Sequence, residues 1–195
     1  MPDFAFPIVG FLSGSVPFSY LAGRFFAGRD VRREGSGNVG ATNVFRVAGR
    51  WAGIAAVIGD VLKSLLPIAA ARLSGIDPGW QAATAAAVVL GHCYSPFLRF
   101  AGGKGVISTV TVSLVLCWPS ALAFGAVWLA VFLAGGYVSL ASILGAAALA
   151  PAMALAGAPP AFVWFGGAVF AFVTWKHRAN IGRLLAGTES RMRGR

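Results

Sequence analysis

Apolar residues fall in seven blocks, at about 4–27, 51–74, 79–98, 106–117, 120–134, 139–156 and 161–175. Between them lie shorter stretches rich in glycine, asparagine and arginine. A helix needs about 20 residues to cross a hydrocarbon core of about 30 Å, so blocks of this kind predict membrane-spanning helices. The fourth and fifth are short, and 106–134 can equally be read as one long helix interrupted at Trp118-Pro119. Hydropathy alone leaves six spans or seven.

The placement of charge chooses between them. The stretch 28–50 holds Arg29, Arg32, Arg33, Arg46 and Arg50; 99–105 holds Arg99 and Lys104. The tail holds Lys176, Arg178, Arg183, Arg191, Arg193 and Arg195. With Arg24 these are all but Lys63 and Arg72 of the 16 basic residues. Seven spans put the three basic regions on one face, which the positive-inside rule makes cytoplasmic; six would strand the basic tail outside. The expected fold is therefore all-α and polytopic, with seven transmembrane helices, the amino terminus outside and the carboxyl terminus cytoplasmic. The first block reads as a retained span rather than a removable signal, because its first charge is Asp3 and no basic n-region precedes it. With neither repeat nor linker, residues 1–195 are expected to form a single domain.

Composition narrows the class further. Hydrophobic residues make up 57% of the chain and charged residues 11%, with a mean hydropathy of +0.76. A soluble domain carries about 25% charged residues, so lipid must serve as solvent here. The net charge of +10 does not point to nucleic acid, because the cations sit in loops between spans as membrane topology requires. Cys93 and Cys117 are too few and too far apart for a disulfide framework or a zinc cluster. The 26 glycines and the alanine runs suit close helix approach in lipid.

Some polar residues lie inside the blocks. Asp60 and Lys63 are three residues apart, hence on one helical face. At membrane depth such groups face a protein interior, and a buried pair locking helices together is the simplest expectation. Arg72 lies near the outer end of that helix. His92, at the end of the third block, is expected to be a hydrogen-bonded packing residue.

Three polar stretches carry more than a connection needs. In Gly35-Ser36-Gly37-Asn38-Val39-Gly40-Ala41-Thr42-Asn43-Val44-Phe45-Arg46 the glycines let backbone N–H groups converge, and Ser36, Asn38, Thr42 and Asn43 add side-chain donors. Such a nest binds an oxyanion, and Arg46 suits bidentate grip on a phosphate. The string matches G-x-G-x-x-G, with Asp60 twenty residues after Gly40, but that fingerprint requires a preceding strand in a βαβ unit. Gly102-Gly103-Lys104-Gly105 offers a lysine among glycines to a second phosphate. It is not a nucleotide P-loop, since Leu98 and Gly105 stand where Gly and Ser/Thr are required. The third stretch, Lys176-His177-Arg178-Ala179-Asn180 on to Glu189, places His177 and Asn180 on one helical face, where an imidazole can serve a phosphate or a hydroxyl. Arg191, Arg193 and Arg195 read as membrane-surface anchors. The serines of Tyr137-Val138-Ser139-Leu140-Ala141-Ser142 are either helix caps or site residues.

Together, GSGNVGATNVFR, GGKGV, YVSLAS and HRANIGRLLAGTE resemble the bacterial membrane glycerol-3-phosphate acyltransferases that use acyl phosphate as donor, the PlsY family. The resemblance runs in order from the first helix to Glu189. It implies seven membrane helices, no protein cofactor and no metal. It also implies acyl transfer to the sn-1 hydroxyl of glycerol 3-phosphate, giving lysophosphatidic acid and phosphate at the cytoplasmic face of the inner membrane. Carried over by motif, Ser36, Asn38, Gly40, Thr42, Asn43 and Arg46 line a phosphate-binding first loop. Gly102, Gly103, Lys104 and Gly105 match the glycerol-phosphate loop. His177 and Asn180 match an essential pair, Ser142 a site serine and Glu189 a residue of structural integrity; Ser36, Ser142, His177 and Asn180 form the implied catalytic group. The partners implied are the two substrates, membrane lipid and the soluble enzyme that makes acyl phosphate. The chain departs from the family at Gly135-Gly136, where a basic residue often precedes the tyrosine.

The chemistry agrees with the resemblance. Acyl phosphate is already activated, so a catalyst needs mainly to align the hydroxyl and stabilise the oxyanion. No G-x-S-x-G elbow suggests an acyl-serine, and neither histidine has an aspartate five residues on, as the His-x4-Asp arrangement of acyl-CoA-type acyltransferases would require. Direct attack follows, with either His177 or a substrate phosphate taking the proton. The alternative is a small transporter of a phosphorylated compound, which should carry its polar site near the bilayer midplane.

Overall fold

The computed structural model describes residues 1–192; Arg193 and Arg195, read above as surface anchors, lie outside the described residues. Helix is the regular structure of the described residues, with no strand among them. They divide into two compact units, the first Met1–Val115 and the second beginning at Leu116.

In the first unit the leading apolar block is two helices, α1 (Ala5–Ser15) and α2 (Phe18–Ala27). Pro17 divides them: it has no N–H to give, and it pushes the residue before it out of the helical region, as Val16 shows at φ −58°, ψ 121°. Gly28 ends α2 in the left-handed conformation at φ 64°. Helix α3 (Ala41–Leu73) begins ten residues before the expected 51, with a break at Gly49 (φ 87°, ψ 179°). The stretch 28–50 is therefore a loop only as far as Gly40; Thr42, Asn43 and Arg46 stand on helix. Helix α4 (Pro78–Cys93) starts at an Asp77 cap that accepts from the Gly79 N–H at 2.7 Å. After a 3₁₀ turn at Pro96–Leu98, α5 covers Val106–Leu116.

Helices α1 and α4 approach closely. A Cβ on Gly14 would lie 2.3 Å from the Val88 carbonyl oxygen, and one on Gly91 2.3 Å from that of Phe11. Without a hydrophobic drive between helices in lipid, such contact supplies the adhesion. The Asp60–Lys63 pair does lock helices. Both side chains are buried, with Nζ 2.9 Å from Oδ1. Ser19 of α2 donates to Asp60 Oδ2 at 2.8 Å, and Lys63 donates to the Val16 carbonyl at 2.8 Å. Arg72 donates to Gln81 of α4 at 3.1 Å. Cys93 and Cys117 are buried thiols.

The second unit holds α6 (Trp118–Gly135), α7 (Val138–Ala147), α8 (Leu149–Leu155), α9 (Pro160–Lys176) and α10 (Arg178–Leu185). The chain does break before Trp118-Pro119, so 106–134 is not one helix. Helix α7 packs on α6 and α9, and α8 on α6 and α9. Among the described residues, four helical stretches are long and apolar enough to cross a membrane: Ala5–Ala27, Ala41–Leu73, Trp118–Gly135 and Val138–Leu155. Val106–Leu116 and Pro160–Lys176 are apolar but shorter. Exposed Leu155, Trp164, Leu122, Trp118 and Leu66 leave outer faces suited to lipid.

Candidate active site

The first loop is shaped from within by Asn43. This buried amide accepts from the Ser36 N–H at 2.9 Å and donates to the carbonyls of Val31 (2.8 Å) and Glu34 (3.0 Å). With its acceptor and both donors engaged by backbone, Asn43 holds the loop's curve. Asn43 thereby serves the loop as a pin. Gly35, at φ 62°, admits no side chain, because a Cβ would lie 2.3 Å from Asn43 Oδ1. Three of the loop arginines are likewise occupied: Arg29 pairs with Glu34, Arg32 with Asp30 at 2.7 Å, and Arg33 reaches Asp30 at 4.0 Å. The bond from Arg32 holds the Asp30 carboxyl far below its usual range. Ser36 is exposed, Asn38 and Thr42 are half-buried, and Arg46 is exposed on the first turns of α3. Gly40 caps α3, its carbonyl accepting from Asn43 N at 2.9 Å and Val44 N at 3.2 Å.

The second motif is strapped to the end of α4. Gly102 N donates to the Cys93 carbonyl and Gly103 N to that of His92, each at 3.2 Å. Gly103 is pinched from two sides: a Cβ there would lie 2.2 Å from His92 Nε2 and 2.5 Å from the Val39 carbonyl oxygen. The first and second motifs, some sixty residues apart in the chain, therefore touch within the first unit. Half-buried Lys104 follows, and Gly105 turns at φ 80° into α5.

In the second unit His177 sits at the junction of α9 and α10, 3% exposed. Its Nδ1 is 2.8 Å from the Val173 carbonyl. A carbonyl only accepts, so Nδ1 carries the hydrogen and the neutral ring keeps its lone pair on Nε2. Asn180, buried in the first turn of α10, donates through Nδ2 to Glu189 Oε1 at 2.6 Å. Glu189 gathers two more donors, Ser139 Oγ (2.7 Å) and Arg183 Nε (2.7 Å to Oε2). Burial would raise its pKa, but the bonds from Asn180, Ser139 and Arg183 outweigh that and lower it. Ser142 is buried, donating to the Val138 carbonyl at 2.7 Å and accepting from Trp128 Nε1 at 3.3 Å. Neither serine caps α7, whose cap residue is Tyr137.

Two contacts have no sequence signal. Ser19 is one hydroxyl in an apolar run, and Arg191 is fifty-four residues from its partner. Arg191 lies over the Tyr137 ring, 5.0 Å from its centroid, and donates to the hydroxyl at 2.9 Å. It clasps the α6–α7 turn instead of serving only as a surface anchor, and Met192 N adds a 3.0 Å bond to the Gly136 carbonyl. The clasp brings a cation to the turn where Gly135-Gly136 provide none. Among the described residues no group of three His, Cys, Asp or Glu side chains is arranged to hold a metal.

An all-helical, multi-pass membrane protein with glycine-built polar loops and a buried, tautomer-fixed histidine is the class these features define. The family described as glycerol-3-phosphate acyltransferase matches residues 4–187. A glycerol-3-phosphate acyltransferase of Rubrobacter xylanophilus is 43% identical over 96% of this chain and 94% of its own. One from Desulforudis audaxviator is 46% identical over 94% of this chain and 92% of its own. The crystal structure of PlsY, an integral membrane glycerol 3-phosphate acyltransferase, in its glycerol 3-phosphate form superposes with a TM-score of 0.91 at 38% identity, covering 97% of this chain and 95% of that one. Its lysophosphatidic acid form gives 0.86 at 36% identity, covering 97% and 94%. This chain belongs to the glycerol-3-phosphate acyltransferase family, the PlsY type.

Proposed function

We propose that this chain transfers an acyl group from acyl phosphate to the sn-1 hydroxyl of glycerol 3-phosphate. The hydroxyl oxygen attacks the acyl carbonyl carbon, the bond from that carbon to the phosphate oxygen breaks, and inorganic phosphate leaves with its electron pair. The hydroxyl proton goes to His177 Nε2. The observation that supports this reading is the bond from Nδ1–H to Val173, which puts the lone pair of the neutral ring on Nε2. Asn180 steadies the reacting groups and Ser142 borders them. Lys104, with the backbone of Gly102, Gly103 and Gly105, grips the phosphate of glycerol 3-phosphate, while Ser36, Asn38, Gly40, Thr42 and Arg46 serve the acyl phosphate; Asn43 shapes their loop. A phosphate-binding nest suits this better than the transporter alternative, which family membership also disfavours.

Assaying the purified protein with acyl phosphate and with acyl-CoA tests the donor. Lysophosphatidic acid should form from acyl phosphate with neither metal nor ATP added; preference for acyl-CoA would refute the proposal. A phosphate held by a point charge is gripped before and during reaction alike, so Lys104→Ala should raise the KM for glycerol 3-phosphate and change kcat less. A loss confined to kcat would contradict the binding role.

In the bilayer the proposed arrangement has seven spans in one domain, with the amino terminus outside and the carboxyl terminus in the cytoplasm. The positive-inside rule supports it, and the inner membrane, within reach of the soluble enzyme making acyl phosphate, is the proposed location. Reporters fused after Arg29, Gly105 and Arg195 should register the cytoplasm, and one at Gly157-Ala158 the outside. An external tail would refute it.

A further inference from the structure

The roles above leave a buried polar cluster in the first unit without a task. Ser15, Ser19, Asp60, Lys63, His92 and Ser95 line a small recess that Val39 and Gly103 of the two loop motifs also border. Part of the cluster is explained by helix locking, since Ser19 and the Val16 carbonyl complete the Asp60–Lys63 pair. His92 is not needed for that lock. Its Nδ1 lies 3.7 Å from Asp60 Oδ1, while the opposite edge of the same ring lies against Gly103, where an added Cβ would meet Nε2 at 2.2 Å and Cδ2 at 3.1 Å. The His92 carbonyl also accepts from Gly103 N. A histidine that only filled space would gain nothing from a neighbouring carboxylate, and a leucine would fill the same volume without burying two ring nitrogens.

We propose that His92 and Asp60 are positioning residues for the Gly102–Gly105 loop: the buried carboxylate, 3.7 Å from Nδ1, orients the imidazole through its charge, and the Nε2 edge sets the seat of Gly103 and hence the reach of Lys104. The proposal rests on the reading of that loop as the glycerol 3-phosphate grip. Asp60 is held from two further directions, by Lys63 and Ser19, so its own position is determined and the ring has a fixed reference. The Val39 carbonyl closes another side of Gly103, so the glycine is seated between it and the ring. Misplacement by about 1 Å can cost about 10²-fold in rate, so a small shift of the loop is enough to be read in the kinetics.

The test uses the full chain, purified in detergent, with KM and kcat for glycerol 3-phosphate and the thermal unfolding temperature read for each variant. His92→Leu should raise that KM about tenfold, with kcat within about threefold and the unfolding temperature nearly unchanged, the pattern of lost uniform binding. His92→Gln places an amide nitrogen where Nε2 stands and should restore the KM to within about threefold, whereas His92→Asn, which reaches only the Nδ1 position, should not. Because both act through Lys104, His92→Leu combined with Lys104→Ala should raise the KM by less than the product of the single effects. A purely structural role moves none of these differences. An unchanged KM in His92→Leu, equal behaviour of Gln and Asn, or a double variant whose effects multiply would each overturn the proposal. If His92→Leu does not fold, the Gln and Asn pair decides it alone. Should Lys104→Ala leave the KM unchanged while His92→Leu raises it, the double variant no longer discriminates, the lysine's assigned grip fails, and His92 seats the Gly103 backbone without acting through Lys104. The reverse result removes the positioning role and keeps the grip.

Discussion

Replacing His177 with asparagine should lower kcat by about 10²–10⁴-fold, the usual contribution of a general base, with the KM for glycerol 3-phosphate within a few-fold of the parent. The asparagine amide nitrogen overlays Nδ1 of histidine, so the variant can keep the bond to the Val173 carbonyl that holds the ring at 2.8 Å. What it loses is Nε2, the nitrogen with the lone pair. The substitution thus separates anchoring from proton transfer on a single side chain. Glutamine, which places a nitrogen near Nε2 but accepts no proton there, should be equally inactive and additionally less stable. Steady-state kinetics on both variants, with thermal unfolding alongside, gives the answer. A kcat near that of the parent in His177→Asn would move the proton to a substrate phosphate and leave His177 as an anchor for α9 and α10.

Much of this arrangement is legible in the sequence because membrane helices announce themselves by composition. All seven apolar blocks are helical, and Pro17, Gly28 and Gly136 fall where the helices break or end. The spacing of Asp60 and Lys63 foretells their contact, since three residues on a helix is one face. What escapes is what depends on partners distant in the chain. Periodicity cannot show that Asn43 turns its amide into its own loop, because the same residue type would serve a phosphate as well. The early start of α3 at Ala41 has no signal in Thr42, Asn43 and Arg46, polar residues that read as loop beside a hydrophobic block. Ser139 and Arg183 lie inside the YVSLAS and HRANIGRLLAGTE stretches, yet only the structure brings both to Glu189. Arg191 reads as a generic anchor until it is found over Tyr137. Composition indicates the solvent and the helices; the polar contacts that hold the site are long-range and specific.

Glu189→Gln should destabilise the second unit by about 2 kcal/mol at neutral pH, the scale of hydrogen bonds to a charged acceptor, and should lower kcat less than His177→Asn does. One carboxylate receives Ser139, Asn180 and Arg183. A glutamine offers one acceptor oxygen and turns an N–H toward donors that need an acceptor. Released from Oε1, the Asn180 amide loses the bond that fixes its orientation, so activity falls along with stability. The dependence on pH identifies the charge as the cause. Burial pushes the Glu189 pKa up, yet the three bonds more than compensate, and its folded value lies below the ordinary carboxylate value. A group with a depressed folded pKa contributes fully above its unfolded pKa, about 4.3, and loses that contribution as pH falls through the folded value. The gap in unfolding temperature between the parent and Glu189→Gln should therefore be constant from neutral pH down to about 5 and close only in stronger acid. Unfolding followed across that range in detergent checks it. A gap that widens in acid, or none at pH 7, would show that Glu189 acts by shape and not by the charge on which Ser139, Asn180 and Arg183 converge.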